Sequence, residues 1–517
     1  MLYCFHEYAL DTDRRELRRD GEPRSVEPKV FDLLVYLLDC NGRVVGKDEL
    51  IARVWMGRLV SDSALATCLN AARAAIGDSG GSQRLIKTIP RKGIRFVGDV
   101  RAEKDPADPP ARDASPLSSG PADKPSVAVL PFASLSEDGE QRYFADSLAE
   151  DIIARLGRLG WLWVSARISS FAYQGKVIDA RQVAGELGVR YVLGGSVRRS
   201  GAHLRIGAEL SAASTGLQVW AERYDSDIER DFPPEDEIAE RIVAAIEPRL
   251  YAAESQRLRR QGLETLDAWG LVIRAMPHVW DWGSEQEIRA AQALLTGAIA
   301  IDPDFPRASS LLAWTQAGLA QLGSADAREA LDAARAMAQQ AIQRDSEDPW
   351  THLAAGYIHM VSRSFDQAVR HLTEAIALNP SLAFAHVVLA ATYGYRGMSE
   401  EGLRHCGRAT RLSPRDFTRT VNFSVTGLCH FMAGRYADAV EWERRAVELR
   451  PHFGSAWRTL AASAGRKGEL DVAAVALSEA KRLHPSLSVE WVEKYHPITD
   501  ESHRLDYIDG LRAAGLE

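Results

Sequence analysis

The second half of the chain repeats itself, and that period constrains the fold more than any other feature. From about Gly262 onward a small residue is followed seven positions later by Ala in six places: Ala291/Ala298, Ala334/Ala341, Ala368/Ala375, Gly402/Ala409, Ala439/Ala446 and Ala473/Ala480. The second members step by 43, 34, 34, 37 and 34 residues, and five residues after each stands Pro303, Ser346, Pro380, Pro414, Pro451 or Pro485. Small residues seven apart share one helix face and let a neighbouring helix approach closely, while Pro ends one helix and opens the next turn. Matching anchors precede them in Trp350/Leu353/Tyr357, Leu389/Ala390/Tyr393 and Trp457/Leu460/Ala461. Such a chain stacks helix pairs, each burying the face its neighbour would otherwise expose.

The pattern Trp, Leu, small, Tyr, Ala, Ala, Pro at this period resembles the tetratricopeptide repeat, from Glu264 to about Asp500. The resemblance implies an all-α superhelix of about six units over 262–500, with a concave groove that holds a peptide or protein segment. Residues 501–517 are expected to form a helical tail. The sequence departs from the pattern at Ser346, where Pro is usual, and at Gly402 and Cys406 in packing positions.

Residues 1–100 follow a different grammar. Short alternating strands lead to an amphipathic helix with Val30, Leu33, Leu34, Leu37 and Leu38 on one face, then two further helices over Lys47–Trp55 and Ser61–Asp78. Arg84–Asp99 reads as two strands joined by a basic turn, Pro90–Arg91–Lys92–Gly93. The motifs PKVFDLL at Pro28–Leu34, GRVV at Gly42–Val45, ELIARVW at Glu49–Trp55, RAAIGD at Arg73–Asp78 and TIPRKGIRF at Thr88–Phe96 resemble the OmpR/PhoB-type winged helix-turn-helix. The departures are Ile94, where that family usually has Tyr, and an Ala-rich third helix. The resemblance implies double-stranded promoter DNA as partner, with the third helix in the major groove and the wing beside it. It places Thr67 and Asn70 at base edges, Arg73, Lys87 and Thr88 at phosphates, and Arg91 and Lys92 on the reaching wing. Paired binding as a homodimer at direct repeats is a further implication.

Residues 101–125 are rich in Pro, Ala, Asp and Ser, with almost no large apolar side chains, and read as a flexible linker. From 126 to 255 strands and helices alternate: a buried-type strand from Ser126, a helix through DSLAEDII (Asp146–Ile153), a short helix over Asp179–Leu187, a three-stranded meander, and a closing helix from about Pro234 to Leu250. Together with SARISSFAYQGK (Ser165–Lys176), GVRYVLGGSVRRSG (Gly188–Gly201) and WAERYD (Trp220–Asp225), this resembles the TolB-like α/β domain. Arg167, Ser169 and Ser170 follow a strand end and are candidates to hold an anionic ligand. The fold class expected is therefore multidomain α+β: winged helix, TolB-like α/β domain, tetratricopeptide solenoid.

No catalytic constellation stands out. The middle region has no strand-end Asp for a phosphoryl receiver, no phosphate-binding loop, no nucleophile elbow and no HExxH. His352 and His359 sit seven apart without a third ligand at metal spacing, so neither metal nor cofactor is expected. Five dispersed cysteines and no apolar run of roughly 18 residues fit a cytoplasmic chain without a membrane span. The formal net charge of −8 argues against nucleic acid only as an average, because Arg73–Val97 carries six basic residues against one acidic. The function expected is a one-component transcription regulator and not an enzyme. Its middle and repeat modules would sense a ligand or protein partner, RNA polymerase among the candidates. The alternative is a repeat-protein scaffold or adaptor with a vestigial DNA-binding domain.

Overall fold

The computed structural model describes residues 2–11, 16–19, 22–24, 26–40, 42–54, 62–89, 92–98, 100–103, 124–134, 139–176, 179–200, 203–227, 235–260, 262–281, 284–323, 327–415 and 417–517. The chain divides into two compact units, residues 1–118 and 119–517.

The first unit runs β1 (Leu2–Phe5), β2 (Tyr8–Asp11), β3 (Glu16–Arg19), β4 (Glu22–Arg24), α1 (Pro28–Asp39), α2 (Lys47–Val54), α3 (Asp62–Ala75), β5 (Ile86–Ile89), β6 (Gly93–Phe96) and β7 (Arg101–Glu103). The first four strands form an antiparallel sheet, and β5 with β6 forms a separate hairpin. Strand β7 pairs antiparallel with β1, so the first three residues assigned to the linker belong to the sheet. Residues 104–123 of that linker lie outside the described residues. Pro28 opens α1, where its missing N–H costs nothing, and all five apolar residues of the expected face are buried. They meet Phe5 and Phe96, whose rings pack edge to face at 5.4 Å. The core therefore ties the N-terminal sheet to the hairpin.

The second unit opens with β8 (Ser126–Val129), β9 (Ala133–Ser134), α4 (Gly139–Gly157), β10 (Trp163–Val164), α5 (Arg167–Phe171), α6 (Ala180–Leu187), β11 (Tyr191–Ser200), β12 (His203–Ala212), β13 (Gln218–Asp227) and α7 (Glu235–Leu258). The sheet order is β10–β8–β11–β12–β13, parallel at β10, β8 and β11 and antiparallel through the expected meander; β9 also pairs with β11. Six helix pairs follow: α8 (Ala268–Trp280) with α9 (Glu285–Ile301), α10 (Pro306–Gln321) with α11 (Ala327–Arg344), α12 (Pro349–Val361) with α13 (Phe365–Leu378), α14 (Ala383–Tyr395) with α15 (Ser399–Leu412), α16 (Thr418–Met432) with α17 (Tyr436–Leu449), and α18 (Gly454–Lys467) with α19 (Leu470–Leu483). Two helices close the chain, α20 (Val489–Tyr495) and α21 (Glu501–Ala513). Every small pair in the sequence pattern falls on the second helix of its unit and is buried against the first. No helix among the described residues is long and apolar enough to cross a membrane.

Sequence reading separates the α/β region from the repeats between 255 and 262, yet they share one hydrophobic core. The reason is α7, whose apolar residues are buried on more than one side: Ile238, Ile242, Ile246 and Tyr251 are almost fully covered, and Ala239, Val243 and Leu250 with them. Its carboxylates reach out in both directions, Glu240 to Arg155 of α4 and to Arg408 of α15. Farther along, buried Glu247 accepts from Trp350 Nε1 and Asn379 Nδ2, and Tyr251 Oη accepts from Arg307 at 3.0 Å.

The superhelix also closes on itself. Trp280 at the end of α8 stacks on Phe417 at 4.4 Å, joining the first unit to the fifth. From the other end, the residues around α20 reach back: Arg363 Nη2 donates to the carbonyls of Glu493, Lys494 and His496, and Trp491 lies over the Arg458 guanidinium at 4.8 Å. Nearly every residue of α12 and α14 is buried as a result. The expected tail is likewise a packed element: a Cβ on Gly465 of α18 would lie 2.0 Å from the Gly510 carbonyl oxygen of α21, and one on Gly510 would lie 2.2 Å from that of Ala462.

Histidines recur at the repeat period. His352 and His371 bring Nδ1 atoms to 3.3 Å, and 34 residues on His386 and His405 bring theirs to 2.9 Å. His371 also stacks on His359, a neighbour that spacing alone does not reveal, but no group of three among the described residues is arranged to hold a metal. Burial is the main cause that lowers these groups: His359 and His371 fall to about 4, and His386, beside His405, Arg408 and Arg411, to about 3.

Two outcomes follow for stability. Gly510→Val must displace backbone and is expected to cost at least about 3 kcal/mol, read by chemical denaturation, whereas Gly185→Ala in α6, with nothing within 4 Å of the new methyl, is expected to be neutral or stabilising. Below the ordinary His value of 6.5 the unfolded chain takes up protons that the buried pairs refuse, so stability is expected to fall from pH 6.5 towards 4. His386→Gln with His405→Gln should flatten that slope in thermal melts of the full chain.

Candidate nucleic-acid interface

Helix α3 presents two faces. Leu65, Leu69, Ala72 and Ile76 are buried against α1, while Ser63, Ala66, Thr67, Asn70 and Ala74 form a continuous exposed stripe. Three- and four-residue steps place these on one side of a helix. Thr67 and Asn70 are thus both exposed on the same face, among small neighbours that would let another surface approach closely.

Arg73 behaves differently from its expected role. It is 4% exposed, and its side chain turns inward. Nε and Nη2 donate to the Ile86 carbonyl at 3.2 and 3.1 Å, and Nη2 donates to Thr88 Oγ1 at 2.8 Å. Its guanidinium ties the end of α3 to β5 and is spent before any phosphate could meet it. Burial, opposed by nearby Asp78, shifts the Arg73 value down. A count of basic residues along the sequence cannot distinguish such a buried cation from a surface one.

Asp78 is the companion anchor. Burial would raise its carboxyl, but the N–H groups of Ile86, Leu85 and Arg84 and the Ser82 hydroxyl hold it well below its ordinary value. Oδ2 accepts from the Leu85 and Ile86 N–H groups at 2.9 Å each; Oδ1 accepts from Ser79 N–H, Ser82 Oγ and Arg84 N–H at 2.7–2.9 Å. One carboxylate therefore sets where the wing starts relative to the end of α3. In the sequence Asp78 stands only as the last residue of the RAAIGD motif, and nothing local marks it as a buried anchor.

The wing itself is β5–β6, with Thr88 opposite Ile94 and Lys87 opposite Arg95. Gly93 has φ +136°, and a Cβ there would stand 2.1 Å from the Val45 carbonyl oxygen. That closeness permits paired hydrogen bonds, Val45 N–H to Ile94 O at 2.7 Å and Ile94 N–H to Val45 O at 2.9 Å. Ile94 is buried in this contact, which accounts for an apolar residue where the related family has Tyr. Lys87 and Lys92 are exposed, as is Arg84, and none of the three has an ion pair among the described residues. Thr88 is exposed although its hydroxyl accepts from Arg73. Arg91 lies outside the described residues, as does the 55–61 segment between α2 and α3.

The candidate anion site of the second unit is not drawn together. Arg167 is exposed, pairs with Glu150 at 2.5 Å and lies over the Phe171 ring; Ser169 is half-buried, and Ser170 is buried with no partner for Oγ among the described residues.

Comparison with known proteins agrees with the geometry of the first unit. Residues 21–96 match the family described as "Transcriptional regulatory protein, C terminal", which makes this unit an OmpR/PhoB-type DNA-binding domain. Over 264 residues the chain is 38% identical to "Putative adenylate cyclase 3" of Rhizobium meliloti (strain 1021), covering 50% of this chain and 44% of that protein, so it spans less than half of that relative. It is 21% identical over 413 residues to "Transcriptional regulator HilA" of Salmonella typhi, covering 80% of this chain and 70% of that protein. Among solved structures, the Klebsiella pneumoniae RstA DNA-binding domain in complex with RstA box aligns at 22% identity and TM-score 0.18, covering 19% of this chain and 96% of that one.

Asp78→Ala would leave buried N–H groups unpaired and is expected to destabilise the first unit by at least about 3 kcal/mol. Amide exchange at Leu85 and Ile86 would report it. The contribution of Asp78 should be complete at neutral pH and should fade as pH drops below the ordinary value of 3.8.

Proposed function

We propose that the chain is a one-component cytoplasmic transcription regulator that binds promoter DNA through its first unit and senses a ligand or protein through its second. The observation that carries this reading is the exposed Thr67–Asn70 stripe on α3 beside a hairpin with exposed Lys87 and Lys92, in a domain of the OmpR/PhoB type. Thr67 and Asn70 would read base edges: an Asn amide can pair with adenine twice, and Thr offers a hydroxyl together with a methyl that suits thymine. Lys87 and Lys92 would neutralise phosphates with the Thr88 hydroxyl beside them, and the family resemblance adds Arg91 to this set. Arg73 takes the part of a positioning residue that holds the wing at the correct distance from α3. The relative named a transcriptional regulator, matched over 80% of this chain, supports the assignment.

The cyclase name belongs to a protein of which 44% aligns with this chain. Control of RNA polymerase and pairing of two copies at direct repeats are parts of the same proposal.

Genomic fragments selected on the full chain and retested by gel shift over a salt series test it. Lys87→Ala and Lys92→Ala are each expected to weaken binding uniformly across sequences and to reduce the log–log salt slope by about 0.9. Asn70→Ala is expected to relax preference at one base pair by about 1–3 kcal/mol and leave the slope unchanged. Binding that ignores salt and all three substitutions would favour the scaffold reading instead.

A further inference from the structure

The closed superhelix leaves a cavity of about 70 Å³ on its inner side. Its walls are apolar, with Val388 and Tyr395 from α14, Val425 and Leu428 from α16, and Phe453 at the start of α18. One charged side chain lines it: Arg458, from the middle of α18, only 5% exposed. An ionised guanidinium in such a place ordinarily has a carboxylate against it, because an unpaired buried charge is among the costliest arrangements in a protein. Arg458 has none among the described residues. Nη2 donates to Ser455 Oγ at 3.3 Å, the Trp491 ring covers the group from outside, and Nε has no partner.

The surrounding groups do not supply the missing charge. Glu443 is a buried acid that feels the Arg458 charge without forming an ion pair with it; burial raises it well above the carboxylate range against the Ser424 hydroxyl, which donates to Oε1, and against Arg458, and Oε2 has no partner among the described residues. His484 lines the same cavity, and burial lowers it to about 4; His496 is also lowered well below its ordinary value, again mainly by burial. Tyr395 and Tyr507 are held neutral by burial. A guanidinium with no carboxylate at ion-pair distance among the described residues, at the wall of a largely apolar cavity, presents a positive charge to that space.

We propose that this cavity binds a small monocarboxylate, with its carboxylate on Arg458 and a short apolar tail between α14 and α16. The size selects against a peptide, and the apolar lining selects against inorganic anions, which have no tail to bury. Ser424 and Thr459 line the same wall, their hydroxyls engaged by Glu443 and Tyr507. Because α20 covers Arg458 through Trp491 and also bears on the Gly323 turn after α10, occupancy would be sensed where the superhelix closes. The proposal rests on the reading of the second unit as the sensing part, and names the class of ligand sensed.

Calorimetric titration of the full chain with sodium butyrate and hexanoate, against butyramide, hexanamide and inorganic phosphate, tests it without DNA. Saturable binding of one carboxylate per chain is expected, at least tenfold weaker for the amides and absent for phosphate. Arg458→Met should abolish that binding while leaving the ligand-free melting temperature equal or higher, since it removes an uncompensated charge. Val425→Phe, which fills the cavity and keeps the charge, should also abolish it. No saturable binding by the unmodified chain would overturn the proposal. So would unchanged binding by Arg458→Met, or a lowered melting temperature for that variant, since the latter means that Glu443 already compensates the guanidinium. Each such failure leaves the DNA-binding reading intact, because gel shifts measure that separately.

Discussion

Arg307 and Asp348 form a doubled hydrogen-bonded ion pair inside the second unit, both more than nine-tenths buried. Removing two charges from water costs several kcal/mol per ion, and only good geometry with further hydrogen bonds offsets it. Those bonds are present. Arg307 also donates to Tyr251 Oη, and Asp348 accepts from the Thr351 hydroxyl and caps α12 through the Trp350 N–H. The pair joins α10 to α12 at the start of two successive repeat units, and Tyr251 brings α7 to the same point. The continuity of α/β layer and solenoid depends on this junction: Trp161 at 4.1 Å and Trp280 at 5.5 Å both pack on the Tyr251 ring.

The first unit solves a smaller version of the same problem. Its wing is a hairpin of two four-residue strands that could not stand alone in water. Arg73 and Asp78 fix it from below, one by donating to a strand carbonyl and the other by accepting from strand N–H groups. Both are charged, yet neither is available to a ligand. In the first unit the buried ions therefore set geometry, and the surface ions are left for recognition.

This division explains which parts of the molecule could be read from sequence. Spacing of small residues located all six repeat pairs, and the α1 face, the hairpin and the meander followed from periodicity and turn residues. Those patterns report which residues must be apolar, and burial enforces them locally. The boundary between α/β layer and repeats was not legible, because a helix apolar on several sides reads in sequence like the amphipathic closing helix of a separate domain. Strand β7 was lost in a Pro-rich stretch, since three residues become a strand only when β1 is there to pair with. The inward turn of Arg73, expected at a phosphate, and the placement of Arg458 are illegible for a common reason. The direction of a long side chain is decided by partners 13 or more residues away, and no local pattern encodes it.

Charge then acquires a different meaning from the one its total suggests. The first hundred residues hold 16 basic and 14 acidic side chains, close to balance, but several of these cancel locally. Arg18 pairs with Glu16, Arg19 with Glu7, Lys29 with Asp32 and Arg43 with Glu49. Around the wing the acidic side chain is Asp78, buried and fully engaged by N–H and hydroxyl donors, so it offers no counter-charge at the surface. Arg84, Lys87 and Lys92 are left exposed beside a helix face that is otherwise small and uncharged. On the proposed DNA-facing surface, affinity would then come from few phosphate contacts, and discrimination from close approach of the α3 backbone to base edges, which an Ala-rich face allows. Under that proposal one copy would bind weakly, and specificity would gain most from a second copy on an adjacent site.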